Sequence, residues 1–355
     1  MSLDVTGRYR YPPPDASWLA RHVEDVIDPA LPIIDAHHHL WTEGGAPYLL
    51  PEITEDVTDG HAITSTVFVQ AHYGYRDDLP PHLAPIGETE KVAAIAADAA
   101  RSNLPTRIAE GIVAHADLLL GTDVGEVIDA HEAVARGALR GIRHSVSRDE
   151  HFPDGIVLRP APAGMLADPR YRAGLATLAR RGLSYDAMLY HEQIPELVAV
   201  ARAEPSLDIV LDHIGCILGV GYYETRGAET FEAWRRTMAE LAACDNVSVK
   251  FGGLGMIICG ARWHERDTPP SSADLASAWQ PYFETCVELF GPDRCMFESN
   301  FPVDKAMYSY RTLWNAFKRL TARFGDDERD ALFSGTASRV YRLRNPVPVR
   351  EAVRA

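Results

Sequence analysis

Residues 33–40 read Ile-Ile-Asp-Ala-His-His-His-Leu, a short apolar run that ends in three histidines. Side chains on a β-strand alternate between its two faces, so His37 and His39 are predicted to point one way and His38 the other. Two imidazoles that converge from the end of one strand can hold a metal ion. The alternative is a cluster of solvated or internally hydrogen-bonded histidines, and the rest of the chain decides between the two.

Short β-branched or apolar runs recur along the chain, with helical periodicity between them. The candidate strands are 33–38, 65–71, 109–115, 139–145, 183–189, 207–213, 246–251 and 294–299, and the candidate helices are 88–102, 123–137, 168–182, 192–204, 229–244, 275–291 and 308–324. Asp168-Pro169 predicts a helix start, whereas Gly182 and Gly325 predict helix ends.

This alternation predicts an α/β protein with a parallel sheet, and eight strand-helix units fit a closed (β/α)8 barrel, the TIM barrel. An open doubly wound sheet is the alternative, but it normally carries a glycine-rich phosphate turn after its first strand, where this chain has histidines. Residues 1–32 are predicted to form an N-terminal extended arm, residues 33–343 the single barrel domain and residues 344–355 a C-terminal tail.

The composition is that of a globular protein: 355 residues, of which 46% are hydrophobic and 24% charged. The net charge of −15 argues against a nucleic-acid partner, because the chain has no basic patch to offset it. Five widely spaced cysteines without a Cys-x-x-Cys pair are typical of free thiols in a reducing compartment, so we expect a cytoplasmic protein. No segment approaches the ~18 apolar residues of a membrane helix.

Polar side chains collect at the predicted carboxyl ends of the strands, where barrel enzymes build their active sites. In chain order these ends carry His37 and His39; Gln70 and His72; His115; Arg143 and His144; Asp186, Tyr190 and His191; His213; Lys250; and Ser299 and Asn300. The barrel interpretation therefore predicts one site at this mouth. We expect part of the set to be structural.

Several of these stretches resemble the amidohydrolase superfamily, and more closely amidohydrolase family 2, which includes lactonases acting on 2-pyrone-4,6-dicarboxylate, sulfomuconolactone and sugar lactones. The matching stretches are His37-x-His39, Gly141-Ile142-Arg143, Leu211-Asp212-His213-Ile214-Gly215, 247–254 (VSVKFGGL) and 296–303 (MFESNFPV). The resemblance implies a distorted barrel with a hydrolytic or decarboxylating site at its mouth. It also implies that His37, His39 and His213 are metal ligands or, in metal-free relatives, groups that polarise the substrate.

Three imidazoles with an open position are typical of catalytic zinc, and His191 or His115 could supply a fourth ligand. A bound zinc ion lowers the pKa of its water to about 7 and polarises a lactone carbonyl. Without a metal, the same imidazoles could hydrogen-bond the carbonyl oxygen while Arg143 and Lys250 stabilise the developing negative charge. A divalent metal, zinc first, and a metal-free site both stay open.

The resemblance breaks at Asn300, which stands where the superfamily usually has the aspartate that takes a proton from the attacking water. An amide cannot be that base, although it can orient a water or a carbonyl. The nearest carboxylates are Glu298, expected deeper in the barrel, and Asp304, expected in the loop beyond. We favour Asp304 as the base; an N-cap of the following helix is the alternative.

The planar fork of Arg143 suits a substrate carboxylate, although an ion pair at the barrel rim would explain it equally well. Lys250 ends a buried strand, where an unpaired ammonium is costly, so we expect a carboxylate partner or a functional role. The loop 252–274 could form a lid, and its Trp263 could reach a ring or form a subunit contact. The predicted catalytic residues are Asn300, Asp304, Lys250 and His191, and the predicted substrate contacts are Arg143, His72, His115, Tyr190 and Trp263.

The leading hypothesis is a hydrolase that opens the lactone ring of a carboxylated or sugar-derived substrate. A metal-dependent aromatic-acid decarboxylase is the first alternative, because it needs no activated water and tolerates Asn300. A non-catalytic small-molecule binding barrel that has lost its base is the second. We expect a small, anionic substrate, no nucleic-acid or membrane partner, and a possible homo-oligomer.

Overall fold

The computed structural model describes residues 12–42, 46–152 and 160–344. One sheet of eight parallel strands runs in chain order, each strand paired with the next. The strands are β1 (Pro32–His38), β2 (Ala62–Val69), β3 (Arg107–Ala114), β4 (Leu139–Ile142), β5 (Ser184–Ala187), β6 (Ile209–Leu211), β7 (Val247–Phe251) and β8 (Cys295–Phe297). All eight predicted strands are confirmed, although several end one to three residues earlier than predicted.

The barrel closes just beyond its last strand. Because β8 has only three residues, the segment that follows it pairs with β1. The backbone N–H of Asn300 donates to the carbonyl oxygen of His37 (2.9 Å), and the N–H of His39 donates to that of Phe301 (2.7 Å). The predicted (β/α)8 TIM barrel is confirmed, and its seam brings the His37-x-His39 motif against Asn300.

Helices surround the sheet. Those in the described residues are α1 (Ala16–Leu19), α2 (Leu50–Val57), α3 (Ile86–Arg101), α4 (Val124–Val134), α5 (Pro169–Arg181), α6 (Ile194–Ala203), α7 (Gly227–Ala242), α8 (Ser272–Phe290), α9 (Tyr310–Leu320), α10 (Asp326–Asp330) and α11 (Thr336–Val340). The seven predicted helices are confirmed as α3 to α9. The role predicted for Gly325 is wrong: α9 already ends at Leu320, and Gly325 precedes α10. Gly182 does end α5, with a positive φ of 64° that suits glycine.

The interior of the barrel has an apolar lower part. Small and β-branched side chains from the strands meet residues of the C-terminal segment there, which closes the amino-terminal end of the barrel; the cluster is Ile34, Ala36, Val67, Val69, Val113, Val210, Met296, Ala337, Val340, Tyr341 and Leu343. A larger apolar cluster fills the space between the strands and the surrounding helices. The charged residues of the interior therefore lie toward the carboxyl ends of the strands.

The described part of the N-terminal arm packs on the barrel and contains one short helix. Asp15 begins α1 by accepting hydrogen bonds from backbone N–H groups, and the Trp18 indole donates to the carbonyl of Arg266 (2.8 Å). Glu24 accepts hydrogen bonds from Ser272 at the start of α8. Except for residue 344, the predicted tail lies outside the described residues. None of the described helices is long and apolar enough to cross a membrane.

Candidate active site

Three histidines meet at the mouth of the barrel. The ring centroids of His37 and His39 lie 4.8 Å apart, and those of His37 and His213 lie 4.7 Å apart. The Nε2 atoms of His37 and His39 are separated by only 3.2 Å. His38 points away, and its Nε2 lies 2.9 Å from the hydroxyl of Thr66. The alternation predicted for this strand is therefore present, and it aims two imidazoles into the mouth.

The Nδ1 atoms of these three rings face hydrogen-bond acceptors. Nδ1 of His37 lies 2.9 Å from one oxygen of Glu298, and Nδ1 of His213 lies 2.7 Å from the other. Nδ1 of His39 lies 2.8 Å from the carbonyl oxygen of Val69. Because carboxylate and carbonyl oxygens only accept hydrogen bonds, these contacts assign the proton of a neutral His39 or His213 ring to Nδ1. Nδ1 of His37 also lies 3.3 Å from the ammonium of Lys250, but the guanidinium of Arg143 beside its Nε2 favours the same tautomer. Each Nε2 then carries a lone pair.

Burial and neighbouring charges set the protonation of the rings. Burial, followed by the charge of Lys250, lowers the pKa of His37, and burial lowers the pKa of His39 well below its usual value. Burial alone would also lower the pKa of His213, but the adjacent Glu298 raises it above the usual value. His37 and His39 are therefore neutral at pH 7, the state in which an imidazole can bind a metal.

These donors fit a divalent metal. Ligand atoms of His37, Asp212 and His213 lie within 4.8 Å of one another. His37 and His39 also direct two lone pairs toward each other, which is favourable only when a cation or a hydrogen-bond donor lies beside both. Imidazole nitrogens with a carboxylate form a donor set typical of zinc. Asp212 was absent from the predicted ligands, although it stands next to His213 in the Leu-Asp-His-Ile-Gly motif.

Arg143 brings a permanent cation to the same place. One terminal nitrogen of its guanidinium lies 3.4 Å from Nε2 of His37 and 3.4 Å from a carboxylate oxygen of Asp212. The other terminal nitrogen donates to the carbonyl oxygen of Gln70. Of the two explanations offered for Arg143, the structure contains the ion pair, here with Asp212.

Lys250 is fully buried, and its expected carboxylate partner is confirmed. Its ammonium donates to Asp186 (2.7 Å) and to Asp212 (3.0 Å), and the hydroxyl of Tyr341 donates to Asp186 as well (2.6 Å). Burial alone would lower the pKa of Lys250, but the two aspartates raise it above its usual value. The ammonium therefore stays charged and holds Asp212 beside the histidines.

The carboxylate nearest the histidines is Glu298, not the favoured Asp304. The side chain of Asn300 donates to one oxygen of Asp304 (3.0 Å), while the other oxygen accepts from the N–H of Gly255 (2.9 Å) and the hydroxyl of Tyr308 (2.6 Å). The N-cap alternative for Asp304 is wrong, because Ser309 caps α9. Asp304 thus links the loop after β7 to the loop after β8, and the Asn300 amide points toward Asp304.

The remaining predicted residues line the mouth farther out. His72 and His115 pack with ring centroids 5.6 Å apart, and His115 lies 5.1 Å from His144. His191 packs against Tyr223 (5.1 Å) and accepts a hydrogen bond from the N–H of Leu218 (3.3 Å). Two further predicted residues have apolar or stacking contacts: Tyr190 packs against Phe152 (5.8 Å), and Trp263 stacks with Arg266 (4.1 Å). Their catalytic or binding roles stay predictions.

Comparisons with known proteins agree with this geometry. A family model described as amidohydrolase matches residues 34–343. An uncharacterized protein, y4mH, from Sinorhizobium fredii is 33% identical over 333 residues, which cover 88% of this chain and 98% of that protein. An L-fucono-1,5-lactonase from Burkholderia multivorans is 27% identical over 334 residues, covering 89% of this chain and 98% of the lactonase.

A crystal structure of an amidohydrolase from Burkholderia multivorans, described with bound zinc, superimposes with a TM-score of 0.67 at 26% sequence identity. The match covers 88% of this chain and 99% of that one. The family model spans nearly the whole barrel, from β1 to the C-terminal segment that closes it. This chain therefore belongs to the amidohydrolase family, and it is a hydrolase.

Proposed function

We propose that this hydrolase opens the ring of a lactone, and that the lactone is derived from a sugar. The observation that carries the proposal is the convergence of His37, His39 and His213, whose rings meet at the mouth with the Nε2 atoms of His37 and His39 only 3.2 Å apart. The similarity to L-fucono-1,5-lactonases over most of the chain supports the same reaction.

The charges favour a sugar lactone over a dicarboxylate. Both buried cations of the site, Arg143 and Lys250, are already paired with aspartates. A substrate carboxylate would have to displace Asp212 from Arg143, whereas neutral hydroxyl groups can hydrogen-bond the histidines of the mouth without breaking an ion pair. The anionic substrate expected from the sequence is therefore less well supported than a neutral one.

A divalent metal, zinc first, would be held by His37, Asp212 and His213 with His39 beside them, and when bound it would supply a Lewis acid and a water of lowered pKa. Nε2 of His39 accepts a hydrogen bond from the attacking water. Arg143 stays paired with Asp212, and its positive charge stabilises the oxyanion that forms at the lactone carbonyl. As the water oxygen bonds to the carbonyl carbon, one of its protons passes to Nε2 of His39, and that proton goes to the ring oxygen when the ring C–O bond breaks. The resulting hydroxy acid releases one proton at neutral pH.

Metal analysis of the purified protein and a panel of lactones read by proton release test the proposal. We expect turnover of aldonolactones, little turnover of a dicarboxylated pyrone, and a loss of at least 100-fold in kcat/KM for His37→Gln. Release of carbon dioxide from a hydroxybenzoate without lactone opening would instead establish the decarboxylase alternative. Stoichiometric ligand binding without turnover would establish a binding barrel.

We also propose a compartment, a domain division and a test of the oligomeric state for this protein. All five cysteines are free, which supports a reducing compartment such as the cytoplasm. The division into an arm, one barrel domain at 33–343 and a tail is proposed to hold for the intact protein. Size-exclusion chromatography with light scattering tests whether the chain forms a homo-oligomer.

A further inference from the structure

One carboxylate serves two of the three histidines. The two oxygens of Glu298 lie 2.9 Å from Nδ1 of His37 and 2.7 Å from Nδ1 of His213. The oxygen beside His37 has no hydrogen bond of regular geometry within the described residues, so its approach to Nδ1 is a close polar contact. Glu298 is fully buried. Its oxygen that faces His213 lies 3.2 Å from the backbone N–H of that residue as well. The position of Glu298 behind both rings therefore depends on specific contacts at both ends.

The backbone beyond β7 leaves space for this arrangement. A Cβ atom at Gly252 would lie 2.4 Å from Cγ of Glu298, and one at Gly253 would lie 2.4 Å from Nδ1 of His213. Both distances are shorter than real Cβ contacts, so a side chain at either position would push the carboxylate or the ring away. Two consecutive glycines thus form a cradle for the Glu298–His213 pair.

His213 is also held in an unusual backbone conformation. Its φ is 53°, in the left-handed region that residues with a Cβ seldom adopt, and Ile214 follows with a φ of 50°. The hydrogen bonds from its N–H and Nδ1 to Glu298 offset part of this strain. The carboxylate therefore orients both the backbone and the ring of His213.

We propose that Glu298 is the positioning residue of this active site, a single carboxylate that holds His37 and His213 as Nδ1-protonated tautomers so that both Nε2 atoms face the reacting centre. It acts through the two rings and touches neither metal nor substrate. Carboxylates behind metal-binding imidazoles generally contribute 10-fold to 100-fold in metal affinity. The inference deepens the proposed function, on which its catalytic meaning rests.

The test compares Glu298→Gln with Asp304→Asn in the full chain. Both variants replace a buried carboxylate by an amide, but Asp304 hydrogen-bonds Asn300, Gly255 and Tyr308 and, within the described part of the chain, no histidine. Nitrogen NMR of 15N-histidine protein reports the tautomer of each ring, and Zn²⁺ titration by calorimetry reports the metal affinity. Neither measurement needs a lactone, so a failure of the proposed function leaves this test intact.

A glutamine at 298 has one acceptor oxygen and one donor group, so it can satisfy only one of the two Nδ1–H groups. We expect one of the two rings to change tautomer, Zn²⁺ to bind 10-fold to 100-fold more weakly, and kcat to fall more than KM rises. Asp304→Asn should leave both tautomers unchanged. Unchanged tautomers of His37 and His213 in Glu298→Gln would overturn the proposal.

Glu298→Asp covers the case in which the glutamine variant does not fold. It keeps the negative charge of the buried cluster but withdraws the oxygens by about 1.5 Å, the length of one carbon–carbon bond. We expect the same loss of tautomer control at one or both rings. Wild-type tautomers and Zn²⁺ affinity in this variant would also contradict a positioning role.

Discussion

The two ends of the barrel interior differ sharply although the same strands build both. Toward the amino-terminal end, side chains such as Ile34, Ala36 and Val67 form one apolar cluster with residues of the C-terminal segment. At the carboxyl end, Asp186, Asp212, Lys250 and Glu298 are equally buried but carry charge, and they lie beside the buried polar rings of the histidines. Burying these groups costs free energy unless each is paired.

The comparison separates what stabilises the fold from what the chemistry requires. Apolar packing at the lower end contributes stability without tuning any protonation state. The carboxyl end, which is the upper end of the barrel, contributes little or no net stability, since buried ion pairs seldom outweigh the desolvation of their members. It does fix charges and tautomers at the point of reaction. Removing one member of a buried ion pair leaves its partner buried without a counter-charge, so changes at the upper end should impair activity and stability together. Changes at the lower end should affect stability alone.

The largest effect is expected for Lys250→Met, which removes the buried cation of the carboxyl end. The change leaves Asp186 and Asp212 buried without their cation, so we expect the free energy of unfolding to fall by about 3–5 kcal/mol. Urea denaturation measures it. The control is Arg323→Met, which removes an exposed ion pair with Glu284 and should cost no more than about 1 kcal/mol. Equal losses of unfolding free energy in the two variants would show that a buried ion pair at Lys250 costs no more to break than an exposed one.

Met296→Ala tests the other end. Met296 is fully buried in the apolar lower cluster, so its truncation should lower the free energy of unfolding by about 2–4 kcal/mol. Because no charged group of the mouth depends on this side chain for a hydrogen bond, kcat per folded molecule should stay within about two-fold. Urea denaturation measures the free energy of unfolding, and lactone kinetics on the same preparation measure kcat. A tenfold fall in kcat at full folding would mean that the two ends are not separable.

The sequence predicts the lower end and the strand order well because both depend on local periodicity. Short β-branched or apolar runs mark all eight strands, and strand alternation places His37 and His39 on one side. The contacts of Lys250 escape prediction, since Asp186 and Asp212 reach it through the pairing of the neighbouring strands β5, β6 and β7 and not through spacing along the chain. Only a carboxylate partner of some kind could be expected from its burial.

The position of Glu298 escapes prediction for a related reason. Counting back from Asn300 places it deeper on an ideal strand, but β8 ends at Phe297, and the next residues turn to pair with β1. Asn300 itself has a φ of 55°, so its side chain faces Asp304. The two-residue offset therefore puts the carboxylate at the histidines. Backbone turns of this kind leave no periodic signal in a single sequence.

Asn300→Asp sharpens this point by placing a carboxylate where the superfamily usually has one. The amide that donates to Asp304 at 3.0 Å becomes an acceptor facing an acceptor, so we expect a loss of about 2–3 kcal/mol at pH 8 and no gain in turnover. Thermal unfolding and lactone kinetics measure the two effects. An increase in kcat would show that the site lacks a base and that a carboxylate at position 300 can supply one.

The pH dependence of this loss has a definite sign. Burial raises the pKa of Asp304 to about 6, above the unfolded value near 3.8, so the folded state binds the extra proton and the contribution to stability falls as pH rises from about 4 to about 6. In Asn300→Asp, the added charge pushes this titration higher. The difference in melting temperature between variant and wild type should therefore widen between pH 5 and pH 8, and a constant difference would contradict the facing-carboxylate explanation.

Tyr341→Phe is expected to have the smallest effect, and it tests the contact between the two ends. Tyr341 packs among the apolar residues of the lower cluster, yet its hydroxyl donates to Asp186, which in turn holds Lys250. Phenylalanine keeps the packing and removes the hydroxyl, so we expect a loss of about 1–2 kcal/mol, typical of a hydrogen bond to a charged group. Double-mutant analysis with Lys250→Met checks the coupling. If Tyr341 acts through Asp186, its effect should change markedly once Lys250 is absent, whereas simple additivity would mean that the C-terminal segment closes the barrel without influencing the charged layer above it.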